Sequence, residues 1–259
     1  MNKVAILYIC TGKYDIFWED FYKSCEKYFL NKYTKQYFVF TDADYLYNEE
    51  NNNIKKIFQE NIGWPKNTLM RFDMFKSIED ELKNFDYIFF FNANILFIKE
   101  IGDEILPLKE DLVMVQHPGF FNKPKYKFPY ERNRKSTAYI PKKIGSFYVQ
   151  GALNGGKGIE FIKLINVLSE NINTDINNNI IAIWHDESHL NKYIINKNVK
   201  LLNPGYVYPE GWNIPFEMKI LTRDKNKWGG HTNLRNIKKS SFISRAKEKF
   251  TFVIRYILS

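Results

Sequence analysis

A chain of 259 residues with 44% hydrophobic and 26% charged residues can bury a substantial core and is too apolar to be a disordered polypeptide. No run of eighteen apolar residues occurs, which argues against a membrane-spanning helix, and two cysteines exclude a disulfide framework or a cysteine-only zinc ribbon. The 38 basic and 29 acidic residues leave a charge of +9 that draws anions, but arginine is scarce and the lysines are spread along the chain, so position must decide what the charge does.

In chain order, the continuously apolar run from Val4 to Ile9 reads as a first strand. It is too short for a secretion signal, so a cytoplasmic protein with Cys10 and Cys25 reduced in its core is expected. Phe17, Phe21, Cys25, Tyr28 and Phe29 recur at helical spacing, and a second strand over 36–42 completes a β-α-β opening. A polar loop around 48–53 and a helix over 68–82 come next. Tyr87-Ile88-Phe89-Phe90-Phe91 is a fully apolar strand that ends in Asn92-Ala93-Asn94, with a short apolar segment at 95–98. This alternation predicts an α/β sheet covered on both faces, with ligands at the carboxyl ends of the strands. Residues 112–158 read as strand-like and rich in loops, and Gly155-Gly156-Lys157-Gly158 leads into a helix over 159–168. A second helix is expected over 180–195, then loops to 235. Over 237–259, Phe242, Ala246, Phe250, Val253, Ile254 and Ile257 recur at helical spacing among basic residues. That pattern predicts an amphipathic helix, separate from a single domain over 1–236, which either docks on the domain or lies peripherally on an anionic membrane surface.

Several segments carry chemistry. Asn92 and Asn94, two residues apart after a strand, are expected to project to one side of the sheet edge, where an Asp-x-Asp pair would hold a divalent ion. Neutral amides supply no charge to a hard cation and also form turns without any ligand. Trp184-His185-Asp186-Glu187-Ser188-His189 concentrates two histidines, two carboxylates and an indole in an expected helix, with Trp184 and Glu187 on one face and His185 and His189 on another. The zincin pattern needs Glu directly after the first His, where Asp stands here, and no third ligand is evident; a solvated charged face is the plain alternative. Between 222 and 235 the only carboxylate is Asp224, whereas Lys225, Lys227, His231 and Arg235 surround Gly229-Gly230. Such a segment can close over a diphosphate or simply form a solvated basic loop.

The set resembles glycosyltransferase family six, which includes the blood-group A and B transferases and the α1,3-galactosyltransferases. The match is carried by residues 184–193, by Tyr130-Glu131-Arg132 with Ala138-Tyr139-Ile140-Pro141, by His117-Pro118-Gly119-Phe120 and by Gly155-Gly156, and it spans roughly residues 4–236. The resemblance implies a GT-A fold and retaining transfer of galactose or N-acetylgalactosamine from a UDP-sugar to O3 of a β-galactoside. It places Ile9, Cys10, Thr11 and Tyr14 at the uridine, Arg71 and Asp186 at the donor sugar, and Gln150, Gly151 and Ala152 where the family selects between donors. Glu187 becomes the catalytic carboxylate beneath the anomeric carbon. Trp184, His185 and His117 become acceptor contacts. Asn92 and Asn94 occupy the place of the family's Asp-x-Asp manganese site, as in bacterial members, which implies catalysis with no metal cofactor. Lys227 and Arg235, with Lys225 as a further candidate, would then neutralise the leaving diphosphate. The expected partners are a UDP-sugar, with N-acetylgalactosamine favoured, and a 2'-fucosylated galactoside of blood-group H type, and not nucleic acid. The alternatives are a polyanion-binding module, against which the scattered charge and buried aromatics speak, and a glycan-binding protein without catalysis, against which Asp186, Glu187 and the cationic segment speak.

Overall fold

The computed structural model describes residues 2–235; the helix expected over 237–259 lies outside the described residues. The chain opens with β1 (Lys3–Ile9), α1 (Trp18–Tyr28), β2 (Thr34–Thr41) and β3 (Ile54–Phe58), then the short helices α2 (Lys66–Leu69), α3 (Arg71–Lys76) and α4 (Glu79–Leu82). It continues through β4 (Tyr87–Asn92), β5 (Ile95–Phe97), β6 (Leu112–Gln116), β7 (Val149–Lys157), α5 (Gly158–Asn177), α6 (Asp186–Tyr193), β8 (Val199–Leu202), β9 (Tyr208–Pro209), β10 (Ile220–Thr222) and α7 (Gly230–Leu234).

Seven strands form the central sheet in the order β3-β2-β1-β4-β7-β6-β8, and β5, β10 and β9 form a small second sheet. From β3 to β4 the pairs are parallel, so the carboxyl ends of β1 and β4 open on one edge; β7 enters antiparallel between β4 and β6. This is the mixed α/β sheet expected of a GT-A enzyme.

Alternation along β1 sorts the core. Val4, Ile6 and Tyr8 face Phe17, Phe21, Cys25 and Phe29, whereas Ala5 and Leu7 face Phe72, Phe75, Phe161 and Leu168. Burying both faces of a parallel sheet in this way explains why β1 and β4 read as unbroken apolar runs.

Four local expectations change. The strand β3 follows the polar loop directly. The single helix over 68–82 is broken at Met70 (φ −88°, ψ 11°) and Ile78 (φ −118°, ψ 21°) into three pieces. Residues 153–157 are the end of β7 and lead straight into α5 as expected; Gly155 lies against the ring of Phe89, and a Cβ there would also meet Ile88 O at 2.7 Å. The helix α5 runs to Asn177, well past 168, and α6 begins only at Asp186. Trp184 therefore precedes the helix and shares no helical face with Glu187.

Candidate active site

A cavity of about 290 Å³ opens where β1 and β4 end and β7 begins. Its wall is shaped by the turn into α6. His185 takes the left-handed φ of 54°, which stops the chain and starts α6 at Asp186, a conformation that non-glycine residues adopt only when their surroundings fix it. Those surroundings are visible. Ser188 Oγ accepts from Trp184 N at 3.0 Å, and Glu131 Oε2 accepts from Ile183 N at 2.7 Å. One turn on, Asn191 bonds both the N–H and the carbonyl of Val149, locking α6 to β7.

The result is a carboxylate pair at the cavity. Glu187 accepts from Gly151 N at 2.8 Å and from the Tyr148 hydroxyl at 2.7 Å. Burial outweighs these donors and pushes its carboxyl up to about 7. Asp186 pairs with Arg71 Nη2 at 2.6 Å, both buried, and burial raises it to about 6 despite that cation. Arg71 also donates to Gly151 O at 2.8 Å and lies over the Phe90 ring at 4.5 Å, so its charge is spent within the wall.

Lys225 and Arg235 line the same cavity. Burial first, then the charges of Arg235 and Arg71, pull the Lys225 ammonium down to about 8. Lys227 does not line the cavity: it is exposed and pairs with Glu210 at 2.6 Å. Residues 225–228 form a 3-10 turn, in which positions two apart point in different directions, so Lys225 faces inward and Lys227 outward.

Ile9, Thr11 and Tyr14 line the cavity, as do Gln150, Gly151, Ala152, Trp184 and His185. Cys10 points into the core between Ile9 and Thr11, its thiol pushed up to about 12 by burial. His117 lies behind the cavity against Tyr148 and Phe120, its ring lowered to about 4 by burial and its Nδ1 accepting from Gly119 N at 2.9 Å. Sequence reasoning passed over Trp64, Asn67 and Thr68, which also line the cavity. Trp64 packs between the His185 ring at 4.7 Å and the Arg235 guanidinium at 3.7 Å; an indole in a Gly-Trp-Pro turn before a helix was the available signal. Tyr148 was passed over as well.

Asn92 and Asn94 part company. A turn at Ala93 breaks the strand alternation, so Asn92 lines the cavity while Asn94 is buried and donates to Arg223 O at 2.7 Å. Tyr8 donates to Ala93 O at 2.8 Å, and Arg223 N donates to Asn94 O at 2.9 Å. The Arg223 guanidinium is held by Asp20 at 2.8 Å and packs on the Phe17 and Trp228 rings. The two amides of this edge are neutral and bring no charge to a divalent ion; the Asn94 amide nitrogen is bonded to Arg223 O, while its buried Oδ1 has no hydrogen-bond partner. Among the described residues no group of three or more His, Cys, Asp or Glu side chains is set to hold a metal ion. His189 is buried near Asp175, at 3.6 Å, well apart in role from His185 on the cavity.

A sequence profile described as Glycosyltransferase family 6 matches residues 2–236. The chain is 38% identical over 232 residues to "O-antigen biosynthesis glycosyltransferase WbnI" of Escherichia coli, covering 90% of this chain and 99% of that one. It is 32% identical over 237 residues to "Globoside alpha-1,3-N-acetylgalactosaminyltransferase 1" of Gallus gallus, with 86% and 67% covered. It is 30% identical over 245 residues to "Histo-blood group ABO system transferase 1" of Rattus norvegicus, with 90% and 68% covered.

Proposed function

Because the chain belongs to glycosyltransferase family 6, we propose that this cavity moves N-acetylgalactosamine from UDP to O3 of a β-galactoside with retention, and without a metal ion. The observation that carries the reading is that Glu187 and Asp186 line one cavity together with Lys225 and Arg235. The uridine would lie along Ile9, Thr11 and Tyr14, with its diphosphate between Asn92 and the two cations. As the bond from the anomeric carbon to the β-phosphate oxygen breaks, its electron pair goes to the phosphate, where Lys225 and Arg235 meet the growing charge. The Glu187 carboxylate stabilises the electron-poor carbon from the opposite face, by covalent bond or by charge. The acceptor hydroxyl adds to that carbon from the face the phosphate left, any bond to Glu187 breaking with its electron pair returned to the carboxylate, and the hydroxyl proton passes to the departing phosphate.

The name of one relative, an N-acetylgalactosaminyltransferase, favours N-acetylgalactosamine over galactose. Gln150 Oε1 is buried at the cavity wall without a hydrogen-bond partner, and a donor at C2 of either sugar, the acetamide N–H or the hydroxyl, would satisfy it. Trp184, partly exposed at the cavity, is placed to meet the acceptor, and the blood-group name of one relative favours a 2'-fucosylated galactoside.

The test is UDP release from UDP-N-acetylgalactosamine and UDP-galactose, with and without 2'-fucosyllactose, in excess EDTA. Acceptor-dependent turnover that survives EDTA and is faster with the acetylated donor is expected. Activity restored only by manganese would overturn metal independence. Absence of turnover on any galactoside, with UDP-sugar still bound, would favour a glycan-binding protein.

A further inference from the structure

The two oxygens of Glu187 are held by one short stretch of chain, the Tyr148 hydroxyl on Oε1 and the Gly151 N–H on Oε2. Tyr148 itself has almost no freedom. It is 1% exposed, and its ring is enclosed by Phe120 at 5.2 Å, Tyr130 at 5.6 Å, His117 at 5.7 Å and Phe128 at 6.3 Å. Its carbonyl accepts from His117 N at 2.9 Å, and Tyr130 is tied in turn by its hydroxyl to Phe147 O at 2.5 Å.

We infer that Tyr148 is a positioning residue for sugar transfer: its fixed hydroxyl holds the Glu187 carboxylate ionised and aimed, and ties it to the 117–130 loop. The inference rests on the proposed function for the role of Glu187, though not for the contact itself. A hydrogen bond to a carboxylate favours its charged form, so Tyr148 works against the burial that raises Glu187. The phenol stays protonated, because burial and the adjacent Glu187 raise it well above its ordinary value. Other groups around the carboxylate are Asp186, which repels its charge, and Arg71, which attracts it. Lys225, His185 and Arg235 line the same cavity, and Tyr130 and His117 back the Tyr148 ring. None of these donates a hydrogen bond to Glu187 among the described residues, so Tyr148 and Gly151 supply that stabilisation, and of the two only the tyrosine is a side chain.

The experiment compares Tyr148→Phe with the intact enzyme. Losing a charge-assisted donor should move the acid limb of kcat/KM upward by about one pH unit. Activity at pH 6 then falls roughly tenfold while that near pH 9 changes little. The variant Phe120→Leu loosens the same packing but keeps the hydroxyl, and should leave the limb in place. Substituting 3-fluorotyrosine at 148 keeps both ring and hydroxyl while strengthening the donor, and should move the limb down. Titration of the Glu187 carboxyl by carbon-13 NMR, assigned by its loss in Glu187→Gln, reads the same shift without turnover, so failure of the transferase reading and of this inference are separable. An acid limb and a carboxyl titration both unmoved in Tyr148→Phe, or moved equally in Phe120→Leu, would overturn it.

Discussion

At Glu187 and Lys225 the same physical cause acts with opposite sign. Burial penalises the charged form of each, raising the carboxyl to about 7 and lowering the ammonium to about 8. The proposed chemistry needs both charged, so kcat/KM of the free enzyme should rise through about pH 7, as Glu187 loses its proton, and fall above about pH 8, as Lys225 loses its own. Replacing Lys225 with Arg, which stays protonated at any working pH, should remove the alkaline limb and leave the acid one; a pH profile of each enzyme measures this. Glu187→Gln should abolish transfer while UDP binding by calorimetry stays within about threefold. Arg71→Met leaves Asp186 buried with no cation and should cost about 3–5 kcal/mol of stability, read by denaturant unfolding. The residues named from motif alone divide on orientation. Glu187, Asp186 and Arg235 line the cavity, whereas Lys227, Cys10, Asn94 and His117 point elsewhere, because one position along a turn or strand reverses a side chain.

Among the elements, strands were legible where both faces are buried and obscure where they are not. β1 and β4 read as apolar runs, but β3, an edge strand with lysines and a half-exposed pattern, did not. β7 fell within the strand-like stretch 112–158 but its bounds were blurred by its glycines, of which Gly155 is there because β4 approaches closely. Gly155→Ala should therefore destabilise by about 1–3 kcal/mol through overpacking against Phe89. Gly102→Ala, whose Cβ would meet only the flexible carboxylate of Glu104, should change stability by less than about 0.5 kcal/mol, both variants being read by denaturant unfolding. The 68–82 helix failed as one element because Arg71 must leave the helical row to reach Asp186 and Gly151, and the break at Met70 aims it there.

For the molecule as a whole, +9 is spread along the sequence and says little about the site, where Arg71 is paired with Asp186 while Lys225 and Arg235 lie over the Tyr14 and Trp64 rings. No helix among the described residues is long and apolar enough to cross a membrane. We propose that the basic segment 237–259 gives peripheral contact with anionic lipid. Its deletion should abolish co-sedimentation with vesicles containing phosphatidylglycerol while leaving transfer to a soluble acceptor within about twofold; retained sedimentation would remove the segment from that role.

What the sequence determined by itself was the α/β class, the family and the carboxylate pair, because apolar period and short motifs survive without coordinates. Only the tertiary structure decided that Lys225 rather than Lys227 lines the cavity with Glu187, that Asn94 is buried and bonded to Arg223, and that Trp64 and Tyr148 join the site. Each of those outcomes depends on which side chain a turn directs inward and on contacts between segments up to about two hundred residues apart, such as Asp20 with Arg223. Local pattern fixes the elements, but the direction of a single polar side chain is set by whichever distant partner satisfies it.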